Sequence, residues 1–215
     1  LVFRRRYNSK SENDDALGPR WTHSYDWRLN SYDNTDYLGE TADWVRLQTG
    51  DGNLYWFKET ADGYEPPEEA DMTLQPVGDD WVVTVGHDLT VTFDATSGRL
   101  TRFETPQGVA VACTYTSGKL TAVRHDNGKG FDLTYSGDLL STLSTYPIPH
   151  ISVAYQYGNG ELTNVIRTVA NGPTSTVSYA YGAYHSLTNR INPIGQRYNY
   201  AYEFVTNRED VVFAR

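Results

Sequence analysis

Short stretches of alternating apolar and polar residues recur along most of the chain. Clear examples occupy residues 89–93, 131–135, 151–157, 177–181 and 198–202. Such alternation is typical of antiparallel strands that bury one face and expose the other. Turn-forming pairs such as Ser-Gly and Asn-Gly separate the stretches, and no window has the three-and-four apolar spacing of an amphipathic helix. The pattern therefore predicts an all-β fold.

The alternating stretches repeat with a period near twenty residues. Leu100, Leu120 and Leu140 lie twenty apart, and later copies are stretched by insertions in the turns. Each period contains two strand signals, which predicts one β-hairpin per repeat. A single hairpin cannot bury its apolar face, so successive hairpins are expected to pair side by side. The residues assigned to fixed repeat positions are Gly98, Leu100, Tyr115, Gly118, Leu120, Tyr135, Leu140, Tyr157, Leu162 and Tyr181.

The periodic pattern divides the chain into three segments. Residues 93–203 are interpreted as about five hairpin repeats in an antiparallel meander, an open spiral or partial shell. Residues 1–92 show no clear register, and four of the five tryptophans lie before position 60, so this segment is interpreted as an irregular, aromatic-rich amino-terminal cap. Residues 204–215 leave the pattern and are interpreted as a non-repeat tail.

Composition excludes several classes of partner and leaves others open. Lysine plus arginine number 18 against 27 for aspartate plus glutamate, and the net charge of −9 repels nucleic acid. No apolar run is long enough for a membrane span. Cys113 is the single cysteine and cannot form an internal disulfide, so we interpret it as a small buried hydrophobe. The chain begins without methionine in what looks like mid-strand, and we expect it to be a piece of a longer protein.

Candidate catalytic chemistry is sparse. The five histidines are scattered without the spacing of metal ligands, and the adjacent acid pairs lie in turn-like contexts. No Gly-rich phosphate loop or nucleophile elbow is present. The sequence therefore predicts a non-enzymatic chain with no catalytic residue, cofactor or metal.

Two motifs resemble the Rhs family. The repeated Tyr-x-x-x-Gly-[Arg/Lys]-Leu-Thr is similar to the YD repeat of that family. The strings RRRYNS (residues 4–9) and LGPRWTHSYDWRL (residues 17–29) resemble the R-x-Y-N-S and G-P-G-W-x-x-S-Y motifs that open the Rhs core. There are departures, since Arg20 stands where a second glycine is usual and several tyrosines lack the following aspartate.

The resemblance implies a large secreted or cell-surface protein. In the family, YD repeats spiral into a hollow β-shell that encloses a toxin or effector cargo, and in animal adhesion proteins they present a binding surface. The partners implied are further YD repeats, of the same or another chain, and a protein cargo. An open meander also leaves strand edges unpaired, so self-association or incorporation into a larger assembly is expected.

Carbohydrate binding or adhesion is the alternative function. Exposed aromatic rings flanked by polar groups supply the stacking and hydrogen bonding that sugars use, but large aromatic residues also fill the core of a β-meander. The candidate ligand-binding residues are Trp21, Trp27, Trp44, Trp56, Tyr32 and Tyr37.

Overall fold

The computed structural model describes residues 1–202 in full and the backbone alone of residues 203–205 and 208–214. Strands contain 63% of the residues, and no α-helix occurs in the described parts. A single 3₁₀ turn spans Ala183–His185. The predicted all-β class, with consecutive antiparallel hairpins, is confirmed.

The strands are numbered in chain order. They are β1 (Arg5–Tyr7), β2 (Asp14–Asp15), β3 (Gly18–Pro19), β4 (Trp21–His23), β5 (Arg28–Tyr37), β6 (Glu40–Gln48), β7 (Leu54–Thr60), β8 (Gly63–Glu65), β9 (Met72–Val77), β10 (Asp80–Val85), β11 (Leu89–Asp94), β12 (Leu100–Glu104), β13 (Ala110–Thr116), β14 (Lys119–His125), β15 (Gly130–Ser136), β16 (Leu139–Tyr146), β17 (Ile151–Gly158), β18 (Glu161–Val169), β19 (Thr174–Tyr181), β20 (Leu187–Ile191), β21 (Arg197–Val205) and β22 (Arg208–Ala214).

Two compact units interleave along the chain. The first unit comprises residues 1–4 and 23–128, and the second comprises residues 5–22 and 129–215. The division into 1–92, 93–203 and 204–215 rests on sequence pattern and stays a prediction, and part of its last segment lies outside the described residues. No helix in the described residues is long and apolar enough to cross a membrane.

In the first unit, strands β5 to β14 pair in chain order, and every pair is antiparallel. One face of this meander carries the core, because alternate residues of a strand point the same way. The side chains with no exposed surface in this unit include Leu47, Phe57, Val83, Val91, Phe93, Leu100 and Val123.

In the second unit, strands β15 to β21 continue the same order of antiparallel pairs. Its amino-terminal part, residues 5–22, adds the small sheet β2–β3 and the fully buried side chain of Leu17. The core of the repeat hairpins consists mainly of Leu140, Leu143, Leu162, Val165 and Leu187.

A β-bulge interrupts each repeat hairpin at one fixed position. In the β13–β14 hairpin the register shifts beside the pair of Tyr115 and Leu120, and Thr121 becomes the extra residue. Because of this extra residue, Leu120 and Val123 are both buried, although plain alternation would place residues three apart on opposite faces. The equivalent pairs beside a register shift are Phe93 with Leu100, Tyr135 with Leu140, Tyr157 with Leu162, and Tyr181 with Leu187.

In these five hairpins the extra residue of the bulge is a threonine or serine whose hydroxyl donates to the opposite strand. Thr121 donates to the carbonyl oxygen of Thr114 at 3.3 Å, and Thr163 donates to that of Gln156 at 3.1 Å. The same bond is made by Thr101, Ser141 and Thr188. A bulge locally disrupts the backbone ladder, so the side chain supplies a donor there. This gives a physical reason for the Leu-Thr or Leu-Ser pair in every copy of the repeat.

Candidate functional site

Four of the six aromatic residues that were predicted to bind a ligand come together on strands β5–β7. Together with Arg46 they form a group that we call the aromatic face, and it consists of Tyr32, Tyr37, Trp44, Arg46 and Trp56. Trp44 pairs with Tyr32 across β5–β6, and Arg46 pairs with Trp56 across β6–β7. Directly opposed residues of an antiparallel pair project on the same side of the sheet.

The aromatic face lies on the side of β5–β7 opposite to the core. Val45 and Leu47 alternate with Trp44 and Arg46 along β6, and both are buried on the core side together with Phe57. Period-two alternation therefore places the aromatic face outside the core of the first unit. Its rings form a separate cluster.

The rings of the aromatic face contact each other closely. Tyr37 stacks on Trp56 with ring centroids 4.5 Å apart and meets Trp44 edge-on at 5.2 Å. Trp44 is 7% exposed, and its indole N–H donates to the carbonyl oxygen of Thr35 at 3.1 Å. Tyr32, Tyr37 and Trp56 are half-buried. The cluster therefore has a buried member, Trp44, and three members that are partly accessible to solvent.

Arg46 lies over two of these rings. Its guanidinium carbon is 5.0 Å from the ring centroid of Tyr32 and 5.6 Å from that of Trp56, within the range of cation–π attraction. The Nε atom is buried and has no hydrogen-bond partner. Within the described part of the chain, no carboxylate forms an ion pair with Arg46.

The other two predicted binding residues pack elsewhere. Trp27 belongs to the first unit and meets Phe103 edge-on at 5.4 Å. Trp21 belongs to the second unit, is 4% exposed, and donates its indole N–H to the hydroxyl of Tyr181 at 2.9 Å. The contacts of Trp21 are those of core packing, whereas Trp27 is half-buried and lies apart from the aromatic face.

Tyrosines at the repeat position connect three successive hairpins of the second unit to the hairpin before each of them. The hydroxyl of Tyr181 donates to the carbonyl oxygen of Leu162 at 2.8 Å. Equivalent bonds join Tyr157 to Leu140 at 2.8 Å and Tyr202 to Leu187 at 2.9 Å. Burial raises the pKa of the Tyr181 hydroxyl, which keeps it protonated as a donor. Phenylalanine could fill the same space but could not make this bond.

Residues 5–22 bond to the same hairpins of the second unit. The hydroxyl of Tyr7 accepts from the backbone N–H of Leu187 at 3.0 Å and donates to the carbonyl oxygen of His185 at 2.7 Å. Further bonds join Leu140 to Ala16, Arg5 to Tyr179 and Trp21 to Tyr181. The motif residues near the start of the chain therefore satisfy polar groups on several successive hairpins.

A turn glycine makes a comparable contact in the first unit. The backbone N–H of Leu29 in β5 donates to the carbonyl oxygen of Gly98 at 2.8 Å. Gly98 is buried and has a φ of +64°, and a Cβ atom at this position would overlap the carbonyl oxygen of Leu29. Glycine is required both for the turn and for the close approach of β5.

Asp26 is a buried carboxylate beside the start of β5. Its side chain is 5% exposed, and it accepts hydrogen bonds from Arg28 Nε at 3.1 Å and from Gln48 Nε2 at 3.4 Å. Burial raises the pKa of Asp26, and the nearby Arg28 opposes this shift without cancelling it. The charged form is therefore less favourable here than in water.

We expect Asp26→Asn to change how stability depends on pH. Because the pKa of Asp26 is higher in the folded protein than in the unfolded chain, its contribution to stability is full below the ordinary value of 3.8 and is lost as pH rises through the folded pKa. Urea unfolding of both proteins between acid and neutral pH measures this. As pH rises, the free energy of unfolding of the wild type should fall relative to that of the asparagine variant.

An exposed carboxylate provides the control for this measurement. Asp62 lies in an exposed turn, so Asp62→Asn makes the same chemical change without removing a buried carboxylate. A pH-independent difference between the wild type and Asp26→Asn would contradict the account of Asp26.

The thiol of Cys113 and the potential metal ligands are the other groups that could support chemistry. Cys113 is 9% exposed, and burial raises the pKa of its thiol to about 12, so little reactive thiolate forms at neutral pH. Among the described residues, no group of three or more His, Cys, Asp or Glu is placed to hold a metal ion. The expectation of a chain without catalytic, cofactor or metal residues stays a prediction.

The first residues of the chain match a protein-family model. A protein-family model described as "Domain of unknown function (DUF6531)" matches residues 1–57. A search of curated proteins found no match. The matched segment contains both amino-terminal motifs and the whole aromatic face.

Proposed function

We propose that this chain is a non-catalytic structural part of a YD-repeat β-shell of the Rhs type. Such a shell encloses a protein cargo, a toxin or effector, or is displayed at the surface of a secreting cell. The tyrosine-to-leucine bond between successive hairpins carries the proposal. It recurs with distances of 2.8, 2.8 and 2.9 Å, and a joint that repeats in one geometry allows hairpins to be added side by side.

Residues 5–22 support the same proposal. They bond to hairpins through Tyr7, Ala16 and Trp21, as expected of a segment that fastens the first repeats of an array. The family model described as "Domain of unknown function (DUF6531)" matches residues 1–57, which also contain the Rhs-like opening motifs, and it is compatible with the proposal. The partners of the chain are then further YD repeats and, for an enclosing shell, a cargo polypeptide.

Imaging of the natural gene product that contains this sequence tests the proposal. We expect electron cryo-microscopy to show a hollow particle whose wall consists of paired hairpins, with these residues inside that wall. Protease treatment of the intact particle should leave any enclosed polypeptide uncut and should cut it after denaturation. A solid globular particle or a solvent-exposed array would contradict the shell.

Carbohydrate binding is the second candidate, and one observation favours it. Tyr32, Tyr37 and Trp56 gather outside the core, with part of each ring exposed. Partly exposed aromatic rings beside polar groups suit the apolar faces of sugar rings. A sugar-binding surface and a structural role can coexist, since the aromatic face and the repeat joints use different residues.

A further inference from the structure

We propose that the aromatic face binds an acidic saccharide, with Arg46 pairing to the carboxylate of a hexuronic acid residue. This inference rests on the second candidate function and names its ligand class. It comes from an unpaired guanidinium held beside partly exposed rings. Neutral sugars would use the rings alone, whereas a uronate uses the rings and the cation together.

Arg46 forms no ion pair with the described residues and has little freedom to move. Cation–π contacts with Tyr32 and Trp56 hold its guanidinium, and because Nε is buried, a carboxylate would meet the two terminal nitrogens of the group. Rigid guanidinium groups favour planar anions, because two parallel N–H donors match the two oxygens of a carboxylate. Prior ordering by the rings reduces the conformational entropy lost on binding.

The two acidic residues of β6 do not neutralise this cation. Glu40 lies on the same side of the strand but pairs with Lys58 at 2.7 Å. Asp43 accepts from the backbone N–H of Asn34 at 2.7 Å and, by alternation with Trp44, points to the other side of β6. The net charge of −9 opposes long polyanions, so short uronate segments are the expected ligands.

The rings supply the second half of the site. Trp56 on β7 is directly opposite Arg46 on the neighbouring strand β6. On the other side of β6, Tyr32 lies two residues along β5 from the residue that pairs with Arg46. A pyranose ring in contact with these rings would bring a carboxylate at C5 toward the guanidinium. Sugar contact and charge pairing then depend on adjacent side chains.

A pair of matched probes distinguishes the contribution of the carboxylate charge to binding from that of the sugar rings. Calorimetric titration of the full chain with tetragalacturonate and with its methyl ester compares one backbone with and without the carboxylate charge. We expect the acid to bind about tenfold more tightly than the ester, the ordinary scale of one charge-assisted bidentate pair. High salt should reduce this preference.

Two arginine variants test whether Arg46 is responsible. Arg46→Gln should weaken binding of the acid about tenfold, leave binding of the ester unchanged, and so remove the preference. Arg102→Gln is the matched control, because this substitution removes the same charge at an exposed residue that pairs with Glu104. Circular dichroism confirms that both variants fold. Equal losses in the two variants would overturn the proposal.

Three other outcomes of the titrations would overturn the uronate proposal. Equal affinity of the wild type for acid and ester would overturn the uronate inference and leave carbohydrate binding standing. Failure of both probes to bind would overturn the uronate inference and count against carbohydrate binding, and the shell proposal would still rest on imaging. Binding of tetraglutamate as tight as that of tetragalacturonate would assign the site to acidic peptides and overturn the saccharide proposal.

Discussion

Replacing Gly98 by alanine is expected to lower the free energy of unfolding by about 3 kcal/mol or more, among the larger effects of single substitutions. Two physical causes combine at this position. A left-handed φ of +64° costs an alanine residue about 1 kcal/mol. The new Cβ would also overlap the carbonyl oxygen of Leu29, and relief of that overlap must break the hydrogen bond between the turn and β5.

Gly108→Ala separates these two causes. Gly108 has a φ of +77°, but a Cβ there meets no atom within 4 Å. The control therefore includes the conformational cost of about 1 kcal/mol and no overlap. Urea denaturation of both variants measures the difference. Equal losses for Gly98→Ala and Gly108→Ala would show that the contact with Leu29 contributes nothing.

Much of the fold could be predicted from the sequence, because its signal is periodic. Leu100, Leu120 and Leu140 recur at one interval, and each is buried in a hairpin strand. The bulges were harder to predict. Leu120 and Val123 are three residues apart and both buried, which plain alternation does not allow. The three-residue spacing of apolar residues is the one sequence signal that could have indicated an extra residue in the strand. The role of Thr121 follows only once that register is known.

The candidate site was only partly predictable. Composition singled out the tryptophans and tyrosines, but not which rings would meet. Tyr37 reaches Trp56 because a bulge between Tyr32 and Thr35 shifts the register of β5 on β6. Arg46 and Asp26 were not singled out, since a lone charged residue looks solvated until its neighbours are known.

Replacing Tyr181 by phenylalanine is expected to lower the free energy of unfolding by about 2 kcal/mol, because two partners lose their bond at once. The carbonyl oxygen of Leu162 loses a donor, and the indole N–H of Trp21 loses an acceptor. Trp21 is 4% exposed, so water cannot readily replace the lost hydroxyl. Thermal or urea unfolding of the purified variant measures the loss.

Tyr198→Phe is the matched control for this substitution. The side chain of Tyr198 is 36% exposed, and its hydroxyl lies 3.4 Å from Gln196 Oε1. Loss of that long, exposed contact should change stability by less than about 0.5 kcal/mol. A loss in Tyr181→Phe no larger than that of the control would mean that the buried hydroxyl is not needed.

In three successive hairpins of the second unit, one tyrosine hydroxyl joins the hairpin to the preceding one, and a series of variants tests this joint most directly. Urea unfolding is measured for Tyr157→Phe, Tyr181→Phe and Tyr202→Phe beside Tyr198→Phe. The account predicts that each of the first three loses about 1 kcal/mol or more while the last is nearly unchanged. Four equally stable variants would contradict the account, since the repeat would then owe its tyrosines to packing alone.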